Sequence, residues 1–283
     1  MNTLKNGIPV FSERTYKILT AATMLVCHAC MLLVVPLMTM GPVLNIKGLH
    51  AAFWYTKVMY FPLPFIFMIP VEAFFHTRSR GRYLTGMLAM ALISEIPFDL
   101  ATLGGSVGNI SIEKIHSPLE YLAANRDSII RDQNVLFSIA LGFAGVWAID
   151  RLKKELKGVF RSETVSKALF LLSAFCISFL IGYMGYVLRL DHKWWLPISM
   201  ILLYLFHDNR FLMCLFPTLF LVLNGIFILK NDIFISCVAG GIMMFFYNGK
   251  RGKTSAAFKK FFYWFYPVHL LIIYILQAIL FNR

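Results

Sequence analysis

Long apolar runs dominate the chain, and polar residues are confined mostly to the short breaks between them. A helix needs about 20 apolar residues to cross a bilayer, and on that scale the pattern predicts nine spans. They lie at about 16–38, 51–75, 83–104, 133–150, 167–188, 194–207, 211–229, 231–247 and 261–281. The sixth and eighth are short, which suits little tilt or a re-entrant path. The expected fold is therefore all-α: one polytopic helix bundle over residues 1–283, with no internal repeat. The one long break, about 105–132, predicts an outer connection with a short surface helix near 118–130.

Composition agrees. The chain is 59% hydrophobic and 14% charged, with mean hydropathy +0.70, against about 45–50% apolar and about 25% charged in soluble domains. The first eleven residues hold no compact apolar core, so the first span is expected to be retained rather than cleaved. The five cysteines all fall in apolar runs, and Cys27 and Cys30, though spaced C-x-x-C, have no second pair; packing is expected, with no disulfide framework and no metal.

The net charge of +13 raises the question of nucleic acid, but its distribution answers no. With the N-terminus inside, eighteen Lys and Arg fall on inner segments and eight on outer ones, with Lys57 inside a span. That bias predicts N-in, C-out, and only an odd number of spans allows it.

Against this background a few polar residues stand out. His28 sits eleven residues after Lys17, roughly 16 Å along a helix and near the midplane of a core about 30 Å thick. An ionisable group at that depth is a functional candidate, although a hydrogen bond to a neighbouring helix is the plain alternative. In the third span Glu95 and Asp99 are four apart and share a helix face, with Pro97 between them. The last span carries a second histidine, His269, just after Pro267 and behind the aromatic run 261–266. That run is an interfacial belt first, and a pocket wall only second.

The second span contains Pro62, Pro64 and Pro70, then Glu72, His76, Arg78, Arg80 and Arg82. A broken helix leading into a cationic collar suits a phosphorylated cofactor, and positive-inside anchoring accounts for the same arginines. Gln133, Asn134 and Asn224 are intramembrane amides of the kind that bridge helices. The stretch 247–260 only superficially suggests a phosphate loop, since the first glycine and a preceding strand are both missing.

Four blocks resemble the TraX family, whose named member is associated with N-acetylation of conjugative pilin. They are VEAFFHTRSRGRY at 71–83 with SEIPFDL at 94–100, QNVLFSIALGF at 133–143, YNGKRG at 247–252 and FFYWFYPVHLL at 261–271. Lys17, ten residues, then His28 is also similar to a pattern of large membrane acyltransferases, which resemble heparan-glucosaminide acetyltransferase in general plan. The resemblance implies transfer of an acetyl group from cytosolic acetyl-CoA to a peptide or glycan acceptor, in the bacterial inner membrane. It makes His28 the catalytic histidine, beside which Glu95 is the candidate orienter and His269 a candidate acid, base or orienter that positions the cofactor or polarises the thioester carbonyl. Lys17, Glu72, His76, Arg78, Arg82, Asn248 and Lys250 are then expected around the cofactor, and Asp99 and Asn134 near the acceptor. The chain departs from the family pattern twice: Cys27 stands where an Asp precedes the histidine, and Asp191-His192-Lys193 where Asp-Tyr-Gly follows the fifth span. A carboxylate to orient His28 must then come from elsewhere, for which Glu95 is the candidate. A transporter with a buried acid–histidine path and a non-catalytic assembly protein are the other classes left open.

Overall fold

The computed structural model describes residues 10–34, 60–102, 117–124, 126, 133–160, 162–230 and 232–281. Residues 51–59 of the second predicted span and most of the outer connection, other than 117–124 and 126, lie outside these. Ten helices follow in chain order: α1 (Glu13–Ala29, extended by a π turn Cys30–Val34), α2 (Leu63–His76), α3 (Arg80–Thr102), α4 (Pro118–Ala124), α5 (Val135–Glu155) and α6 (Glu163–Val187). Then come α7 (Trp195–Leu205), α8 (Arg210–Leu223, extended by a π turn Asn224–Ile228), α9 (Cys237–Phe245) and α10 (Ala256–Phe281). Each of the nine predicted runs contains a helix. Among the described residues, six helices are long and apolar enough to cross a membrane, and three (Leu63–His76, Trp195–Leu205 and Phe234–Phe245) are shorter.

Two of the shorter helices, α2 and α7, are where the bundle is most enclosed. Every residue of α2 from Leu63 to Glu72 is buried, which is what a helix apolar on all sides requires. Pro64 lies in its first turn, where a missing N–H costs nothing; Pro70 lies inside and removes one ladder bond. Around this centre α3 packs along α10, α5 along α7, and α8 along α9. By contrast, Leu171, Leu172, Phe175 and Phe179 of α6 are exposed, as lipid-facing residues would be.

At the end of the bundle where α1 begins (the basal end), the loop after α9 supplies acceptors for the first turn of α1. Glu13 and Arg14 N–H donate to the carbonyls of Lys250 and Arg251 at 2.9 and 3.2 Å, and Asn248 N–H donates to Phe11 O at 3.0 Å. The Ser12 hydroxyl caps Thr15 N–H at 3.4 Å. Helix-start donors without internal partners are thus satisfied by a distant segment.

At the opposite, distal end, the turn between α6 and α7 folds back onto the start of α5. Asp191 N–H donates to Gln133 O at 2.7 Å and Gln133 N–H to Arg189 O at 3.1 Å, while the Ser138 hydroxyl donates to Asp191 O. Gly185 permits this closeness: a Cβ there would lie 2.6 Å from the Lys193 carbonyl oxygen. Gly185→Ala is expected to destabilise the protein by about 1–3 kcal/mol, the usual range for overpacking. Gly86→Ala is the control, since its Cβ would meet only Tyr263 Oη at an ordinary 3.8 Å. Unfolding in detergent, followed by helix signal, compares the two.

Candidate active site

His28 lies in the last turn of α1, and His269 lies in α10 two residues after Pro267. Nδ1 of His28 is 2.7 Å from Nε2 of His269, with the two rings parallel and their centroids 5.0 Å apart. Nδ1 of His269 is 2.8 Å from the Phe265 carbonyl. That last contact fixes the hydrogens. A carbonyl only accepts, so Nδ1 of His269 carries the proton and Nε2 of this neutral ring accepts. Nδ1 of His28 must then donate, and Nε2 of His28 is left with its lone pair. Phe265 stacks on His269 at 4.5 Å, and Tyr266 stands edge-on to His28 and His269 at 6.5 and 5.6 Å.

The carboxylate expected to orient His28 is engaged differently. Glu95 accepts from the Asn134 backbone N–H at 3.3 Å and from its side-chain amide. The same amide donates to Ala91 O at 2.8 Å, and Asn134 Oδ1 caps Leu136 N–H at 3.0 Å. Asn134 is thus both the cap of α5 and a clamp on α3. The second oxygen of Glu95 is buried with no hydrogen-bond partner among the described residues. Asp99 is buried one turn further along. Orientation of His28 comes instead from His269, and behind it from a backbone carbonyl.

Two neighbours of this pair are not expected at the site: sequence pattern puts Tyr266 in an interfacial aromatic run and Asp191 in a departure from the family pattern. Tyr266, 7% exposed, touches both rings, and its hydroxyl meets the backbone of Val135. Asp191 lies in the distal turn, with its Oδ1 3.0 Å from His192 Nδ1. Burial acts to raise the Asp191 carboxyl, but its interaction with His192 holds it below the usual carboxylate range.

The residues expected around a cofactor divide into three sets at the basal end. Lys17 pairs with Glu13 at 2.6 Å, close to where Asn248 and Lys250 join the start of α1. Asn248 Oδ1 also accepts from Lys250 N–H at 2.9 Å. Lys17 and His28, eleven residues apart on a helix of 3.6 per turn, share one face. Glu72 is internal: its carboxylate meets His207 Nε2 at 2.8 Å and Tyr247 Oη at 3.1 Å, with His76 Nε2 at 3.7 Å. It ties α2 to the turns at either side of α8–α9 and is not a free cofactor contact.

Arg78 and Arg80 line a cavity of about 590 Å³ with Thr77, Trp147, Arg151 and Lys154. Arg80 and Lys154 are anchored there by Asp150 at 2.7 and 2.8 Å, and Tyr204 Oη donates to the same carboxylate at 3.0 Å. Arg82 is exposed two residues on and does not line this cavity.

The family described as TraX protein matches residues 12–277, nearly the whole chain, and this chain belongs to that family. No curated protein and no solved structure matches it. The protein is therefore a helical, membrane-associated member of the TraX family.

Asn134→Ala should cost more than a lost cap. The cap alone contributes about 1 kcal/mol, and leaving Glu95 without donors adds about 1–3 kcal/mol. Unfolding of Asn134→Ala in detergent, compared with the double variant carrying Glu95→Leu, separates the two contributions: the second substitution recovers part of the loss.

Proposed function

We propose that this TraX-family protein is a membrane-embedded acyltransferase. It moves an acetyl or other short acyl group from cytosolic acyl-CoA to an amine or hydroxyl acceptor, such as a peptide N-terminus or a surface glycan, in the bacterial cytoplasmic membrane. The observation that carries the reading is the hydrogen-bonded pair of imidazoles whose arrangement leaves His28 Nε2 as an unprotonated base.

His28 Nε2 takes a proton from the acceptor as its nitrogen or oxygen attacks the thioester carbonyl. The new bond to the acyl carbon forms, the C–S bond breaks, and the proton passes from His28 to the departing thiolate. While His28 is protonated, its Nδ1–H donates to His269, and His269 Nδ1–H donates to the Phe265 carbonyl. The positive charge is spread along that line without a carboxylate, which is how Cys27 is compatible with a working histidine.

The donor approaches from the basal end. Lys17, on the His28 face of α1, with Lys250 and Arg251 near it around Glu13, offers one basic patch, and Arg78, Arg80, Arg151 and Lys154, with Glu155 among them, line a basic cavity. The phosphates of CoA suit such groups, and an extended thioester arm suits a rise of roughly 16 Å from Lys17 to His28.

The test is purified full-length protein in nanodiscs with acetyl-CoA and amine or hydroxyl acceptors, read by product mass. His28→Ala is expected to lose at least about a hundredfold in transfer while keeping its helix content and its binding of acetyl-CoA. His269→Ala, which frees the His28 tautomer, is expected to lose less. Normal turnover by folded His28→Ala would overturn the reading.

A further inference from the structure

The turn between α6 and α7 has no part in the transfer step above, yet it is built against a conformational preference. Arg189, His192 and Lys193 have φ of 52°, 63° and 41°, a region where side chains with a Cβ are disfavoured by roughly 1 kcal/mol or more each. The bonds to Gln133 and Ser138 and the space left by Gly185 hold the turn in this form. What it fixes is a second acid–imidazole pair. The Asp191 carboxylate can only accept, so the His192 Nδ1 that faces it across 3.0 Å is the nitrogen that carries hydrogen, and in the neutral ring Nε2 then has the lone pair. The imidazole is set against Trp195 at 4.6 Å and Tyr60 at 6.4 Å, and both members of the pair are partly exposed.

Carboxylates and aromatic rings lie around the pair. Among the described residues the groups within electrostatic reach of the pair are His28 on α1, Tyr60 before α2, Glu95 on α3 and Tyr266 on α10. The exposed Arg189 and Lys193 lie on its own turn. Asp191 and Glu95 are carboxylates that no lysine or arginine among the described residues pairs with by a salt bridge, and two aromatic rings complete the wall.

An amine reaching this end from water is an ammonium: α-amines have pKa about 7.7–8.0 and lysine amines about 10.4. An ammonium has no lone pair. It must lose one proton before it can attack and a second as the C–N bond forms. His28 handles the second, passing it to the thiolate sulfur. We propose that His192, oriented by Asp191, takes the first, converting a bound ammonium acceptor to the free amine before it meets the thioester. The N–H electron pair stays on the acceptor nitrogen, His192 becomes imidazolium beside the Asp191 carboxylate, and the proton then leaves to water at the distal end.

This rests on the transferase reading, and three probes separate the two. Full-length protein in nanodiscs is given acetyl-CoA with hydroxylamine (a free base at neutral pH), a peptide with only an α-amine, or a blocked peptide with only a lysine amine. At pH 7 H192Q is expected to lose about tenfold on the α-amine and about a thousandfold on the lysine amine, following the free-base fraction of each. Hydroxylamine bypasses the step and should stay within about twofold. Raising the pH to 9 restores α-amine transfer by H192Q, whereas the wild type lacks that rise, and D191N moves the same way by less. Equal loss on all three probes, or an unchanged pH profile, would overturn the proposal. A wild type active only on hydroxyl acceptors would overturn this proposal and leave the transferase reading standing, and one inert toward all three probes and toward hydroxyl acceptors would sink both.

Discussion

An imidazole placed inside a helix bundle within hydrocarbon has no water to satisfy it, so each ring nitrogen must be matched from within the protein. The bond between His28 and His269 is that match. It joins the first long helix to the last and requires α1 to run beside α10. Its second consequence is chemical: because His269 also holds the Phe265 carbonyl, the hydrogens are ordered along the line and one nitrogen is left basic. The packing requirement and the reactive atom arise from the same three groups.

The polar groups at the two ends of the bundle differ in how completely they are engaged. At the basal end Glu72 is shared by His207 and Tyr247, and Asp150 by Arg80, Lys154 and Tyr204, so these acids act as knots between helices. At the distal end one oxygen of Glu95 is buried without a partner among the described residues, and the Asp191–His192 pair is partly open. Fully used carboxylates hold structure, and under-used ones are where a ligand finds something to do.

Much of this was legible in the sequence because depth in a helix is simple arithmetic. The apolar runs place helices at all nine positions, and a fixed rise per residue puts His28, Glu95 and His269 deep in their spans. What spacing cannot convey is which faces turn toward each other. Glu95 is the nearest candidate by depth, yet Asn134, thirty-nine residues on, takes it. The arginines of 78–82 look like one collar, but residues two apart on a helix point about 200° apart, and Arg82 parts from Arg80. Glu72 looks exposed by position, while its partner His207 lies 135 residues away. Asp191 and His192 gain their place from left-handed backbone at non-glycine residues, which no propensity scale signals. The Asp-His pair at the end of the fifth span was the trace that could have been followed.

The stitching of α1 to the loop after α9 has a consequence for how the protein is made. The carbonyls that complete the first turn of α1 belong to residues synthesised far later: Arg14 and Lys253, joined by a side-chain bond at 3.0 Å, are 239 positions apart. The imidazole pair spans 241 positions. During synthesis α1 is made with only its local Ser12 cap and with its histidine unmatched; its start is completed when the loop after α9 arrives, and its histidine is matched when α10 does. A chain truncated before α10 would hold most of the bundle and lack the imidazole pair.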